Sequence, residues 1–150
     1  MEEVRGDVIP GSCLCGKVSF EVTPPLGEVR LCHCDLCRRA NGSAFSANTR
    51  IQTTQYRLLC DGATIKEYQS SPGAWRAFCN ACGSPVYARV ASDPGYIRIR
   101  LGTLPRNTSV TIAGHVWTDS KASWEEINSD LPQFPRGAVG SAVDDSEFRT

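Results

Sequence analysis

The stretch Cys13-Leu14-Cys15-Gly16-Lys17-Val18-Ser19-Phe20-Glu21-Val22-Thr23 carries two signals in succession. A Cys-x-Cys-Gly turn comes first, and a run with Val18, Phe20 and Val22 on one face follows it directly. Alternation at period two marks a half-buried antiparallel strand. The turn brings two thiolates within reach of one ion, and the glycine after the second sulfur supplies a positive φ at little cost. Downstream, Cys79-Asn80-Ala81-Cys82-Gly83 repeats the device and again leads into a β-prone run. The two read as halves of one closed four-thiolate site, tying the first strand to a hairpin more than 60 residues later. Such a site has no free position and contributes to folding. Free or redox-active thiols are the alternative reading of a Cys-x-x-Cys pair.

Working outward, the same alternation recurs. In Tyr96-Ile97-Arg98-Ile99-Arg100-Leu101 the apolar residues share one face and the arginines the other. Further strands are predicted over Lys17–Thr23, Ala44–Ile51, Tyr56–Cys60, Thr64–Gln69, Trp75–Phe78, Ser84–Val90 and Thr111–Trp117, separated by Pro24-Pro25, Asp61-Gly62, Ser71-Pro72-Gly73 and Asp93-Pro94-Gly95. Helix is scarce. Asp35 is placed to cap a short segment Leu36–Ala40 that Asn41-Gly42 ends, and Ser123-x-x-Glu126 suggests a second helix near Ser120–Ile127. The expectation is a mainly β fold of one domain over residues 1–135, with a mobile tail over 136–150.

The 150 residues carry 16 Lys and Arg against 16 Asp and Glu, and no basic block stands out. Neither nucleic acid nor a membrane surface is expected as a partner. The acidic start Met1–Asp7 has no apolar run and no stretch approaches the length of a membrane helix, so the cytoplasm is the expected compartment. Disulfides are rare there, and seven of the eight cysteines fall in tight groups of the kind that bind metal. All-sulfur tetrahedral ligation favours zinc, with iron as the alternative.

The third group, Cys32-His33-Cys34-Asp35-Leu36-Cys37, supplies three thiolates and no local fourth. Three protein ligands with one open position is the arrangement of catalytic zinc, whereas closure by Cys60 or His115 would make a second structural site. His33, between two ligands of an extended chain, points to the opposite side. Cys60 reads as an inert core cysteine on a strand face with Tyr56 and Leu58, and His115 as a structural residue. Arg38 and Arg39, directly after the trio, are candidates to hold a carboxylate bidentately, or plain surface arginines of a short helix.

The runs Gly11–Phe20, Cys32–Ser43 and Phe78–Pro85, continued by Leu101-Gly102-Thr103-Leu104, His115-Val116-Trp117 and Trp124, resemble the glutathione-dependent formaldehyde-activating enzyme family, also called the centromere protein V family. The resemblance covers about residues 8–135. It implies a β-tent fold of small antiparallel sheets around a pair of zinc knuckles. It also implies two zinc ions per chain, a structural one on Cys13, Cys15, Cys79 and Cys82 and a second on Cys32, Cys34 and Cys37, the candidate catalytic group. The activity implied is that of a carbon–sulfur lyase joining glutathione and formaldehyde into S-hydroxymethylglutathione, with a small thiol and a small aldehyde as partners. Two other classes stay open on the residues alone: a zinc-stabilised interaction module without catalysis, and a thiol redox enzyme for which Cys60 is the only spare cysteine.

Overall fold

The computed structural model describes residues 8–137. In chain order the elements are β1 Ile9–Ser12, β2 Ser19–Val22, β3 Val29–Cys32, helix α1 Asp35–Asn41, β4 Ser46–Gln52, β5 Tyr56–Leu58, β6 Ile65–Ser71, β7 Ala74–Cys79, β8 Pro85–Val90, β9 Tyr96–Arg100 and β10 Ile112–Val116. Two sheets form, one ordered β1-β2-β5 and the other β10-β3-β4-β9-β8-β7-β6. The mainly β fold with little helix is as expected. The tail predicted over 136–150 lies, apart from Arg136 and Gly137, outside the described residues.

The main core is where the alternating runs meet. Val18, Phe20 and Val22 are buried against Ile51, Val86, Ile97 and Ile99 of the larger sheet. Each such side chain contributes about 1.5–3 kcal/mol when fully buried. Register then fixes the opposite face of that sheet. Ile99 lies across from Thr49 and Tyr87, so Arg98 lies across from Arg50 and Ala88, and Arg100 across from Asn48. Arg76 opposes Ala88, and Cys32 opposes Ser46, two residues from Asn48. One face of the sheet is thus apolar, and the other carries arginines together with the first cysteine of the trio.

Two expectations are corrected. The sheets are not antiparallel throughout: β10 runs parallel to β3, pairing Val116 with Cys32 and His115 with Leu31. Parallel neighbours need a long connection, and here all of the chain from α1 to β9 lies between them. The second helix does not form. A 3-10 turn spans Thr118–Ser120, and a single turn follows with the Glu125 N–H donating to the Ala122 carbonyl. A capping box helps only when an apolar helical face follows it. Asn128-Ser129-Asp130-Leu131-Pro132 offers none, and the Ser129 hydroxyl lies 3.2 Å from His115 Nε2.

At the end of β10 the chain turns sharply. Trp117 has φ 59 and is, among the described residues, the one non-glycine in the left-handed region. That conformation costs roughly 1–2 kcal/mol. It is held because the Trp117 side chain is buried beside the trio and the Trp117 backbone N–H donates to the Arg136 carbonyl at 3.0 Å.

Candidate functional site

The tetrad is assembled by two hairpin ends. Cys13 and Cys15 lie in the turn from β1 to β2, and Cys79 and Cys82 in the turn from β7 to β8. Gly16 and Gly83, with φ 83 and 78, wrap the backbone around the sulfurs as the sequence predicts. The four Sγ atoms lie within 4.8 Å of one another. Cys13 is 3.6 Å from Cys15, and Cys15 is 3.7 Å from Cys79. A tetrahedron with metal–sulfur bonds of about 2.3 Å has edges of about 3.8 Å, so the donors and their spacing fit zinc. Backbone N–H groups of Val18 and Ala81 donate to Cys13 and Cys79. Ser84 links the knuckles, accepting from the Leu14 N–H at 3.0 Å and meeting Cys82 Sγ at 3.1 Å. Chiefly through that hydroxyl, the Cys82 thiol is pulled down to about 5. Cys13 and Cys79 belong to the main core, while Cys15 and Leu14 face outward.

The trio is built from the end of β3 and the first turn of α1. The helix cap is Cys34 rather than Asp35. Its backbone is extended and its Sγ accepts from the Cys37 N–H at 3.4 Å. A sulfur at the capping position reaches the third helical N–H as a serine oxygen would. Asp35 becomes the first helical residue, where a carboxylate suits the dipole, and takes a hydrogen bond from Arg38 Nη2. Gly42, with φ 61, ends the helix and donates to the Arg38 carbonyl at 2.8 Å. The three Sγ atoms lie within 4.8 Å of one another, and all three residues are buried with Val116 and Trp117.

His33 points away from the sulfurs, as the extended backbone predicts. It is fully buried, packs tilted against the Phe45 ring and places Nε2 2.9 Å from His115 Nδ1. Burial pushes His33 down to about 4, helped by His115 and Lys121, and burial also lowers His115. Two neutral imidazoles can share one N–H···N bond. His115 therefore has Nδ1 toward His33 and Nε2 toward Ser129. Cys60 is half-buried just past β5, with Sγ 3.2 Å from Thr64 Oγ1. Among the described residues, neither joins the trio. Arg38 is half-buried and paired to Asp35, and Arg39 is exposed on α1.

Two residues near the trio were not singled out from the sequence. Arg76 of β7 brings Nη1 and Nη2 to 3.9 and 3.8 Å from Cys37 Sγ. Arg100 of β9 is buried and donates to Asn48 Oδ1. The Cys37 thiol is held well below its ordinary range, first by hydrogen bonds from Cys32 and Cys34 and then by the charges of Arg76 and Arg100. Desolvation lowers Arg100 to about 10 against the opposing pull of Cys37. The available signal was a charge inside an apolar strand, Ala74-Trp75-Arg76-Ala77-Phe78, since burying a guanidinium needs an anion or a dense hydrogen-bond set. A cleft of about 620 Å³ lined by Pro24, Pro25, Leu26, Pro105 and Val110 contains no cysteine.

Comparison with known proteins bears directly on these cysteines. The family model described as glutathione-dependent formaldehyde-activating enzyme matches residues 8–120. The chain belongs to this family. As a member it is an enzyme of the carbon–sulfur lyase class. A Schizosaccharomyces pombe protein called an uncharacterized lyase is 31% identical over 133 residues, 89% of this chain and 95% of that protein. A Halomonas elongata protein, to which glutathione-dependent formaldehyde activation is provisionally ascribed, is 29% identical over 139 residues, 81% of this chain and 82% of that one. A Rhodobacter sphaeroides protein of known crystal structure superposes with a TM-score of 0.55 at 23% identity, covering 67% of this chain and 90% of that one, a likeness of fold. Among the described residues no helix is long and apolar enough to cross a membrane.

Proposed function

We propose that this chain is a zinc-dependent carbon–sulfur lyase acting on a glutathione adduct, joining glutathione and formaldehyde into S-hydroxymethylglutathione and parting them in reverse. The observation that supports it most is the buried trio Cys32, Cys34 and Cys37, three sulfurs within 4.8 Å with no fourth metal-capable side chain grouped with them among the described residues. Three ligands and an open position is the arrangement of a metal that takes a substrate atom, and four ligands that of a structural one. In this reading one zinc lies in the tetrad and a second in the trio. Zinc in the trio supplies a position that binds a thiol sulfur and favours its anionic form.

The protein's own residues do the remaining work. The Cys34-capped turn fixes the three sulfurs relative to one another. Arg38 and Arg39 hold the carboxylates of glutathione, Arg38 exchanging its Asp35 partner for the substrate. Placing thiol and aldehyde together removes the entropy of a bimolecular encounter. The sulfur lone pair forms the new C–S bond, the carbonyl π bond opens onto oxygen, and that oxygen gains the proton the thiol gave up. The eight unbridged cysteines suit a reducing compartment, the cytoplasm.

Exchange NMR of glutathione and formaldehyde tests this directly. The expected result is exchange faster than the uncatalysed background, lost in Cys34→Ser. A rate equal to background from protein carrying two zinc ions per chain refutes it.

A further inference from the structure

Two guanidiniums buried in one small domain require counter-charge. Arg76 is 8% exposed and Arg100 7%, and they come from strands β7 and β9 on either side of β8. They share the face of the sheet that carries Cys32. Arg76 aims two nitrogens at the Cys37 sulfur from 3.8 and 3.9 Å, while Arg100 is fixed by the Asn48 amide oxygen. Among the described residues the tetrad has no such company. Its sulfurs meet backbone N–H groups and the Ser84 hydroxyl.

The geometry points to Arg76 and Arg100 as the residues that select an anionic sulfur as fourth ligand of the trio. The inference rests on the proposed function, since it takes the trio to hold a divalent ion. Three thiolates and a divalent ion carry one net negative charge, and a fourth thiolate makes it two. Without compensation, that second charge in a buried site is strongly unfavourable. Two guanidiniums bring positive charge against it, so a thiolate is favoured over a neutral donor in the same place. A thiol entering as RSH leaves its proton with the buffer and its sulfur with the site. Arg76 and Arg100 act through this charge balance and are positioning residues for the thiol.

The test uses full-length protein with cobalt(II) in place of zinc and reads sulfur-to-cobalt absorption. The probes are 2-mercaptoethanol, which has no carboxylate for Arg38 or Arg39 to recognise, and imidazole, a neutral donor. In Arg76→Met the dissociation constant for 2-mercaptoethanol is expected to rise about tenfold or more, while that for imidazole moves less than about threefold. Arg76→Lys, which restores the charge, recovers most of the thiol affinity. Should Arg76→Met fail to fold, Arg100→Gln and Arg76→Gln carry the same comparison. Thiol affinity unchanged in the neutral variants overturns the inference alone, as does an equal loss for both probes, which marks a structural role. A wild-type trio that takes up no cobalt overturns the proposed function and this inference with it.

Discussion

The tetrad and the trio are made of the same atom and differ in almost everything else. The tetrad joins knuckles 64 residues apart, with Cys15 open to solvent and, among the described residues, no buried arginine in its hydrogen bonds. The trio comes from six consecutive residues, is buried, and lies beside two buried guanidiniums. Exposure therefore runs opposite to the expected roles: the group assigned to structure is partly open to solvent through Cys15, and the group assigned to chemistry is buried throughout. What distinguishes them is the number of ligands and the charge around them. On the proposed reading, four sulfurs with polar neutral neighbours make a closed fastening, and three beside fixed positive charge make a receptor for an anion.

The sharpest way to break this contrast is to remove one sulfur from each group. Cys79→Ser should abolish cooperative melting followed by circular dichroism. A structural zinc contributes apparent binding energies of about 10–16 kcal/mol, which is the whole stability of a domain this size. An unchanged melt would show that the tetrad fastens nothing. Cys34→Ser should keep the fold, because serine also caps helices, and should lower zinc from two per chain to one by elemental analysis. Loss of both ions would mean that the groups are not independent.

A smaller effect is expected from the support behind the trio. His33→Leu leaves His115 Nδ1 without its partner, and a buried polar atom left unpaired costs about 1–3 kcal/mol. Chelator competition should strip the trio faster in this variant and leave the tetrad as it was. Equal acceleration at both would deny that His33 serves the trio. The smallest effect belongs to an ordinary ion pair that hydrogen-bonds to neither group. Arg89 donates to both oxygens of Glu67 and holds its carboxyl below the usual range, so this pair stabilises the fold above the unfolded pKa and loses that contribution as pH falls through the folded one. Glu67→Gln should cost about 0.2–1 kcal/mol at pH 7 by denaturant melts. The difference from wild type should vanish in acid below the depressed folded pKa, and a difference that persisted there would assign it to packing.

Much of this arrangement was legible in the residues, and the failures have physical causes. Knuckles announce themselves because metal-ligand spacing is local and needs glycine at a set place. The alternating strands were readable because one face of each is apolar. β1 was missed because Ile9-Pro10-Gly11-Ser12 has no β signature. It survives as an edge strand, where proline is tolerated, and Gly11 is needed because a Cβ there would sit 2.2 Å from the Phe20 ring. β3 was hidden because Val29-Arg30-Leu31-Cys32 runs into the metal motif, and its identity depends on pairing with β4 and β10. The role of Arg76 could not be read at all from spacing, since it is 39 residues from Cys37 and only sheet register brings them together.

The parallel partnership of β10 with β3 has a consequence for how the protein is made. On the ribosome the tetrad has all its ligands once Cys82 has emerged. The strand that carries Cys32 still has one bare flank at that moment, and covering it must wait for Ile112–Val116 and then for the segment around Phe134 that lies along β10. At about 5–20 residues per second that is a delay of several seconds. During it the nascent chain presents three unshielded thiols to the surrounding solution, and oxidants encountered in that interval would strike the trio before its shelter is built.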